Sequence, residues 1–168
     1  MNVRGTKLSH DEFMNKVLSV THHPEIRYAW ATGIAISKFL EGLKEGKIYG
    51  VKCDDCKRVV CPPRMFCEEC FSPMVEYVEL PDTGTVNTFS LAYIRTDASR
   101  RKDPEIPAVI DIDGTSISPS GFLHLLDESI PHDQIKVGMK VKAVWKPPEE
   151  RTGSITDIKY FTKMEEES

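Results

Sequence analysis

The chain has 168 residues and a mass of 19.0 kDa, with 40% hydrophobic and 29% charged residues. That balance belongs to a folded globular chain rather than a disordered one, and no apolar run approaches the roughly 18–20 residues a membrane-spanning helix needs. Lys plus Arg is 22 against 26 Asp plus Glu, so the formal charge is −4 and no global positive field draws the chain to nucleic acid. The first residues, Met1 to Phe13, lack the apolar core of a signal peptide, which leads us to expect a cytoplasmic protein.

In chain order, residues 9–20 read as a helix. Ser9 and Glu12 have the spacing of a capping box, and Phe13, Met14, Val17 and Leu18 form one apolar stripe. Thr21-His-His-Pro24 ends it, because a residue before proline is pushed out of the helical region. A second helix is expected over 28–43, with Trp30, Ile34, Ile36, Phe39, Leu40 and Leu43 on a wide apolar face and Gly46 as its stop. From Val75 onward the pattern changes to short alternating strands, expected at 75–80, 85–94, 107–113, 121–126, 140–147 and 154–162. Pro81-Asp-Thr-Gly84, Asp113-Gly114 and Lys136-Val-Gly138 supply turns between several of them. Five or six strands in about 90 residues with no long helix between them read as a small closed antiparallel barrel.

Between helices and barrel lies a cysteine module. Cys53-Asp-Asp-Cys56 is followed after ten residues by Cys67-Glu-Glu-Cys70. Two such pairs on tight turns present four thiolates that converge tetrahedrally on one metal ion, and four soft ligands with no open position suit structural zinc. An iron centre of the rubredoxin kind uses the same donors. Lys52, Lys57 and Arg58 would offset the negative charge of the site. Two disulfides are disfavoured in a reducing compartment. Cys61, in Val59-Val-Cys-Pro-Pro63, reads as a small buried apolar residue.

These motifs together carry a family resemblance. The order is Phe39-Leu-Glu-Gly-Leu-Lys-Glu-Gly46, the first cysteine pair, Pro62-Pro-Arg64 and the second pair. Gly84-Thr-Val-Asn-Thr-Phe89, Pro107-Ala-Val-Ile-Asp111 and Val137-Gly-Met-Lys-Val141 follow. Over about residues 28–162 the chain resembles the DUF35 family, and its archaeal members in particular. The resemblance implies a mainly β protein with an N-terminal helical hairpin (1–46), a rubredoxin-like zinc ribbon (47–74) and a C-terminal OB-fold barrel (75–168). It further implies a non-catalytic companion of a thiolase-superfamily enzyme, of the kind that bridges acetoacetyl-CoA thiolase and hydroxymethylglutaryl-CoA (HMG-CoA) synthase and helps hold an acyl-CoA. One departure is Lys57, where the family commonly has glycine, and a little strain is expected there.

The residues themselves show no GxSxG, Walker A or GxGxxG motif, and the five histidines fall in separate elements with no nucleophile beside them. His124, between Leu123 and Leu125, is expected to face away from whatever those leucines bury. The stretch from Arg95 to Pro104 gathers Arg95, Arg100, Arg101 and Lys102, and we take Arg100, Arg101 and Lys102 as candidates for the phosphates of CoA. A solvated loop balanced by Asp97, Asp103 and Glu105 is the plain alternative. Arg64 is expected to brace the ribbon against the barrel. Competing functions are a purely structural adaptor and a single-strand nucleic-acid binder using Trp145, Tyr160, Phe161, Phe89 and Tyr93 as stacking rings. The lysines that would have to form its groove are spread out among acids.

Overall fold

The computed structural model describes residues 9–16, 29–95, 97–116 and 120–165. The chain divides into two units, Met1–Ala31 and Thr32–Ser168. In the first, α1 (His10–Lys16) starts on the expected capping box: the Glu12 N–H donates to Ser9 Oγ and the Ser9 N–H to the Glu12 carboxylate. Met14 is exposed. Val17, Leu18 and the Thr21–Pro24 stop lie outside the described residues. So do residues 17–28, most of the connection that would make a hairpin of the two helices, and the described residues do not establish that hairpin.

The second unit opens with α2 (Gly33–Glu45), five residues later than expected and two residues longer at its end. Thr32 makes no side-chain cap, while Gly46 ends the helix in the left-handed region at φ 80°. Its N–H donates to the Leu43 carbonyl and that of Lys47 to the Gly42 carbonyl, the pairing that lets a helix stop without orphaned carbonyls. The buried stripe is Ala35, Phe39 and Leu43, one residue per turn. Trp30 and Ile34 are 80% and 71% exposed, so the expected wide face is a narrow one.

A three-stranded antiparallel sheet follows, in the order β2-β1-β3, from β1 (Ile48–Lys52), β2 (Val59–Val60) and β3 (Glu76–Leu80). The strand expected at 75–80 as part of the barrel therefore closes the cysteine module instead, pairing Ile48 with Leu80 through to Lys52 with Glu76. The barrel is built from β4 (Thr83–Phe89), β7 (Pro107–Ile112), β8 (Gly121–Leu125), β9 (Lys140–Trp145) and β10 (Ile158–Lys163), in the order β10-β9-β4-β7-β8. A parallel bridge between Leu126 and Phe161 brings its two ends together. That is the five-stranded, partly open Greek-key closure of an OB-fold. Between β4 and β7 a separate hairpin stands out, β5 (Ala92–Ile94) paired with β6 (Arg100–Glu105). The single strand expected over 85–94 is thus broken at Ser90-Leu91, and half of the expected cationic loop is strand.

One continuous core joins these parts. Phe39 and Leu43 of α2, Ile48 and Cys61 of the ribbon and Val86, Ile110, Val141, Ile158 and Phe161 of the barrel share a buried cluster. The free edge of β2 is tied to the barrel through side-chain hydroxyls: the Val59 N–H donates to Ser116 Oγ (2.7 Å) and the Cys61 N–H to buried Ser120 Oγ (3.0 Å). Gly121 permits the closest approach of strands, because a Cβ there would collide with the Ile110 carbonyl oxygen. No helix among the described residues is long and apolar enough to cross a membrane.

Candidate functional site

Each cysteine pair sits on a turn that its own backbone closes. The Cys53 N–H donates to the Arg58 carbonyl at 2.8 Å and the Cys67 N–H to the Ser72 carbonyl at 3.0 Å. Such turns aim two sulfurs and several N–H groups inward. The Arg58 amide points at Cys56, the Cys70 and Glu69 amides at Cys67, and the Ser72 side chain and amide at Cys70. All four sulfurs lie within 4.8 Å of one another, with Cys53–Cys70 and Cys56–Cys67 both 3.5 Å apart. A regular ZnS4 tetrahedron with bonds of about 2.3 Å sets its sulfurs about 3.8 Å apart, so the donor set fits one such ion.

The electrostatics agree with that fit. Hydrogen bonds from Ser72 draw the Cys70 thiol down to about 6. At Cys56 the Arg58 amide pulls downward, but contact with Cys67 and burial outweigh it and push the thiol up to about 12. The Cys70 and Glu69 amides lower the Cys67 thiol as well, and a cluster that favours ionising two thiols but resists a third holds four thiolates only around a cation. Around it, Arg58 ties the first turn to the second through Glu68 (3.2 Å) and Glu69 (3.0 Å), and Lys52 pairs with Glu76 at 3.2 Å. Arg64 pairs with Glu68 inside the module, so it does not brace the ribbon against the barrel as expected. Cys61 is buried outside the cluster, with its thiol pushed up to about 12 by that burial, which is the apolar role expected of it.

Lys57 carries the strain expected of a lysine in a glycine position, with φ of 61°. Phe71, the residue after the second pair, does the same at 59°. The spacing that singles out Lys57 applies equally to Phe71, and sequence reading overlooked it. Phe71 is also 79% exposed, and Met65, Phe66 and Val75 of the same module are exposed too.

The three candidate CoA-binding cations share β6 but not one environment. Arg101 is held by Glu105 and by Glu128 (2.7 Å), whereas Arg100 and Lys102 are exposed. The turn of the hairpin is stiffened by Asp97, which accepts from the Ser99 N–H at 2.9 Å and from its hydroxyl at 2.6 Å. Of the rings proposed for base stacking, Phe161 is wholly buried and Trp145 lies under the Arg151 guanidinium, 5.5 Å from the ring centre. His124 alternates with its neighbours as expected but on the opposite side. Leu123 and Leu125 face out, while the imidazole packs edge-on to Phe161 and bonds the Ile155 carbonyl at 3.1 Å.

A four-cysteine ribbon fused to an OB-fold barrel defines the class of protein. Residues 40–76 match the rubredoxin-like zinc ribbon domain of ChsH2, and residues 77–146 match the C-terminal OB-fold domain of ChsH2. Among solved structures, the chain is similar to a DUF35-family protein of unknown function from Sulfolobus solfataricus. They share 30% identity over 67% of this chain and 79% of that one, with a TM-score of 0.56. It is also similar in fold to the Ltp2-ChsH2(DUF35) aldolase, with 22% identity over 77% of this chain and 92% of that one and a TM-score of 0.53. No curated protein matches it. The chain belongs to the DUF35 family.

Proposed function

We propose that this protein is a non-catalytic subunit that docks on a thiolase-superfamily enzyme and helps hold its acyl-CoA intermediate. In this reading residues 1–46 are a helical module, 47–74 the ribbon and 75–168 the OB-fold. Cys53, Cys56, Cys67 and Cys70 hold zinc, which closes its coordination on four thiolates and acts as a cross-link between the two turns. The observation that carries the docking is on the ribbon, where Phe66, Phe71 and Val75 all stand exposed within one ten-residue stretch. Large apolar side chains left exposed this densely on a small module support a surface that a partner covers. Family membership supports the same reading, because the solved Ltp2-ChsH2(DUF35) aldolase pairs a chain of this family with a second protein.

For the CoA, the β5–β6 hairpin offers Arg100, Arg101 and Lys102, with Arg101 anchored by two carboxylates and its neighbours reaching out. Guanidinium forks and a mobile ammonium match the phosphates of a CoA nucleotide. Replacing all three by Ala should weaken CoA binding by the enzyme complex by roughly tenfold or more, since each charge-assisted contact is worth about 1.5–3 kcal/mol. Unchanged affinity by titration calorimetry would remove the hairpin from the CoA site.

A further inference from the structure

The barrel is not zipped along its whole length. β8 pairs with β7 on one side, and on the other only its end meets β10, through the Leu126–Phe161 bridge and a 2.9 Å hydrogen bond from the Asp127 N–H to the Phe161 carbonyl. The Leu126 N–H is used on the β7 side, on the Ile106 carbonyl. Alternation along an extended strand therefore turns the backbone groups of Leu123 and Leu125 the other way, toward β10. Leu125 donates its N–H to His124 Nδ1 at 2.8 Å. At Leu123 no strand pairing closes the seam among the described residues.

The opening is a cavity of about 480 Å³, walled by Pro107, Leu123, Leu125 and Ile158 and flanked by Lys146 and Lys159. Leu123 is 65% and Leu125 37% exposed. Natural sheets guard an edge with charge, proline, a bulge or a cover, and Gly121-Phe-Leu-His-Leu125 carries none of these in its own sequence. The floor is preformed, because His124 accepts at Nδ1 and so carries its proton on Nε2, facing the Ile155 carbonyl. Among the described residues no carboxylate lines the cavity. Those nearest along the chain are engaged: Asp157, near Lys146, accepts from the Thr152, Gly153 and Ser154 N–H groups, Asp127 from the Ser129 N–H and Glu128 from Arg101.

We propose that this seam is a peptide groove. It takes an extended segment of a partner protein by strand addition to β8, with aliphatic side chains against Leu123 and Leu125 and carboxylates against Lys146 and Lys159. A fatty acyl chain would fill the apolar wall but offer nothing to the open backbone groups or the two lysines, so the combination selects an acidic, aliphatic peptide. The groove is a feature of the barrel alone and does not depend on the CoA reading.

The test is a titration of the zinc-loaded, 15N-labelled full chain with acetyl-Val-Glu-Val-Glu-Val-Glu-amide, followed by NMR. Shifts centred on the amides of Leu123, Leu125 and Lys159 are expected. N-methylation of alternate residues of the peptide, which leaves its side chains intact, should weaken binding roughly tenfold or more. Leu123→Lys should do the same, and so should Leu123→Pro, which removes the outward-facing N–H of an edge strand together with the leucine side chain. Four results would overturn the proposal: no seam shifts, equal binding of the N-methylated peptide, stronger binding of decanoate than of the peptide, or seam shifts that appear merely on concentrating the chain alone. Any of them leaves docking on an enzyme to stand or fall on co-purification.

Discussion

Two residues hold the metal turns at an energetic cost. Lys57 and Phe71 each follow the second cysteine of a pair and sit at φ near 60°, where an L side chain crowds its own backbone by about 1–2 kcal/mol. Glycine there relieves the strain but loses more chain entropy on folding, about 0.5–1 kcal/mol. Lys57→Gly should therefore stabilise the zinc-loaded protein by a net amount of about 0.5–1 kcal/mol in urea unfolding, and a loss of stability would show that Lys57 makes a compensating contact. Asp157 is the opposite case, a wholly buried carboxylate with many donors. Burial pushes it up, yet the N–H groups of Thr152, Ser154 and Gly153, with Lys146 nearby, hold it below its ordinary 3.8. The unfolded chain thus takes up the proton first, so the stabilisation is full above about pH 4 and lost as pH falls through the lower folded value. Asp157→Asn should cost about 2–4 kcal/mol at pH 7, with the difference from the natural chain shrinking as the pH drops below about 4. A difference that does not change with pH would mean that the charge is not what the three amides require.

Among the elements, the ribbon depends most on something outside the chain. Its own buried cluster is small, Val51, Val60 and Met74 with two of the metal cysteines, and such a core does not fold two turns unaided. Chelation of zinc, or Cys67→Ala, should lower the melting temperature by about 10 °C or more and release one zinc per chain. Full thermal stability after chelation would count against a folding role for the metal. The same module was the most legible part of the sequence, because four cysteines at fixed spacing state both their ligands and their geometry. The barrel strands could be read from alternation, but their boundaries and partners could not. Alternation does not report that Glu76–Leu80 pairs with Ile48–Lys52 rather than inside the barrel, nor which side of β8 is wet. The late start of β10 did leave a trace: Ser154 and Asp157 form a capping box over Ile155–Asp157, and that three-residue spacing marks a turn rather than the strand expected there. The hairpin β5–β6 was hidden because its second strand, Arg100–Glu105, is charged and contains Pro104, a pattern that resembles a loop until the strand pairs with Ala92.

At the scale of the molecule, ribbon, α2 and barrel share one core, and hydroxyls of Ser116 and Ser120 fasten the ribbon edge to the barrel. The exposed ribbon surface and the cationic hairpin therefore belong to one unit, so that in the proposed function a single framework would present both the partner and the phosphate ligand. The aromatic residues that a strand-binding OB-fold would need are partly consumed by the core, as Phe161 is, or covered, as Trp145 is by Arg151. The proposed function makes the chain a subunit of a CoA-dependent enzyme. Purification of the intact chain from its native source at moderate salt, with mass spectrometry of what accompanies it, tests this most directly. A thiolase-superfamily enzyme present in stoichiometric amount is the expected result, and a chain that elutes alone or with nucleic acid would contradict the account.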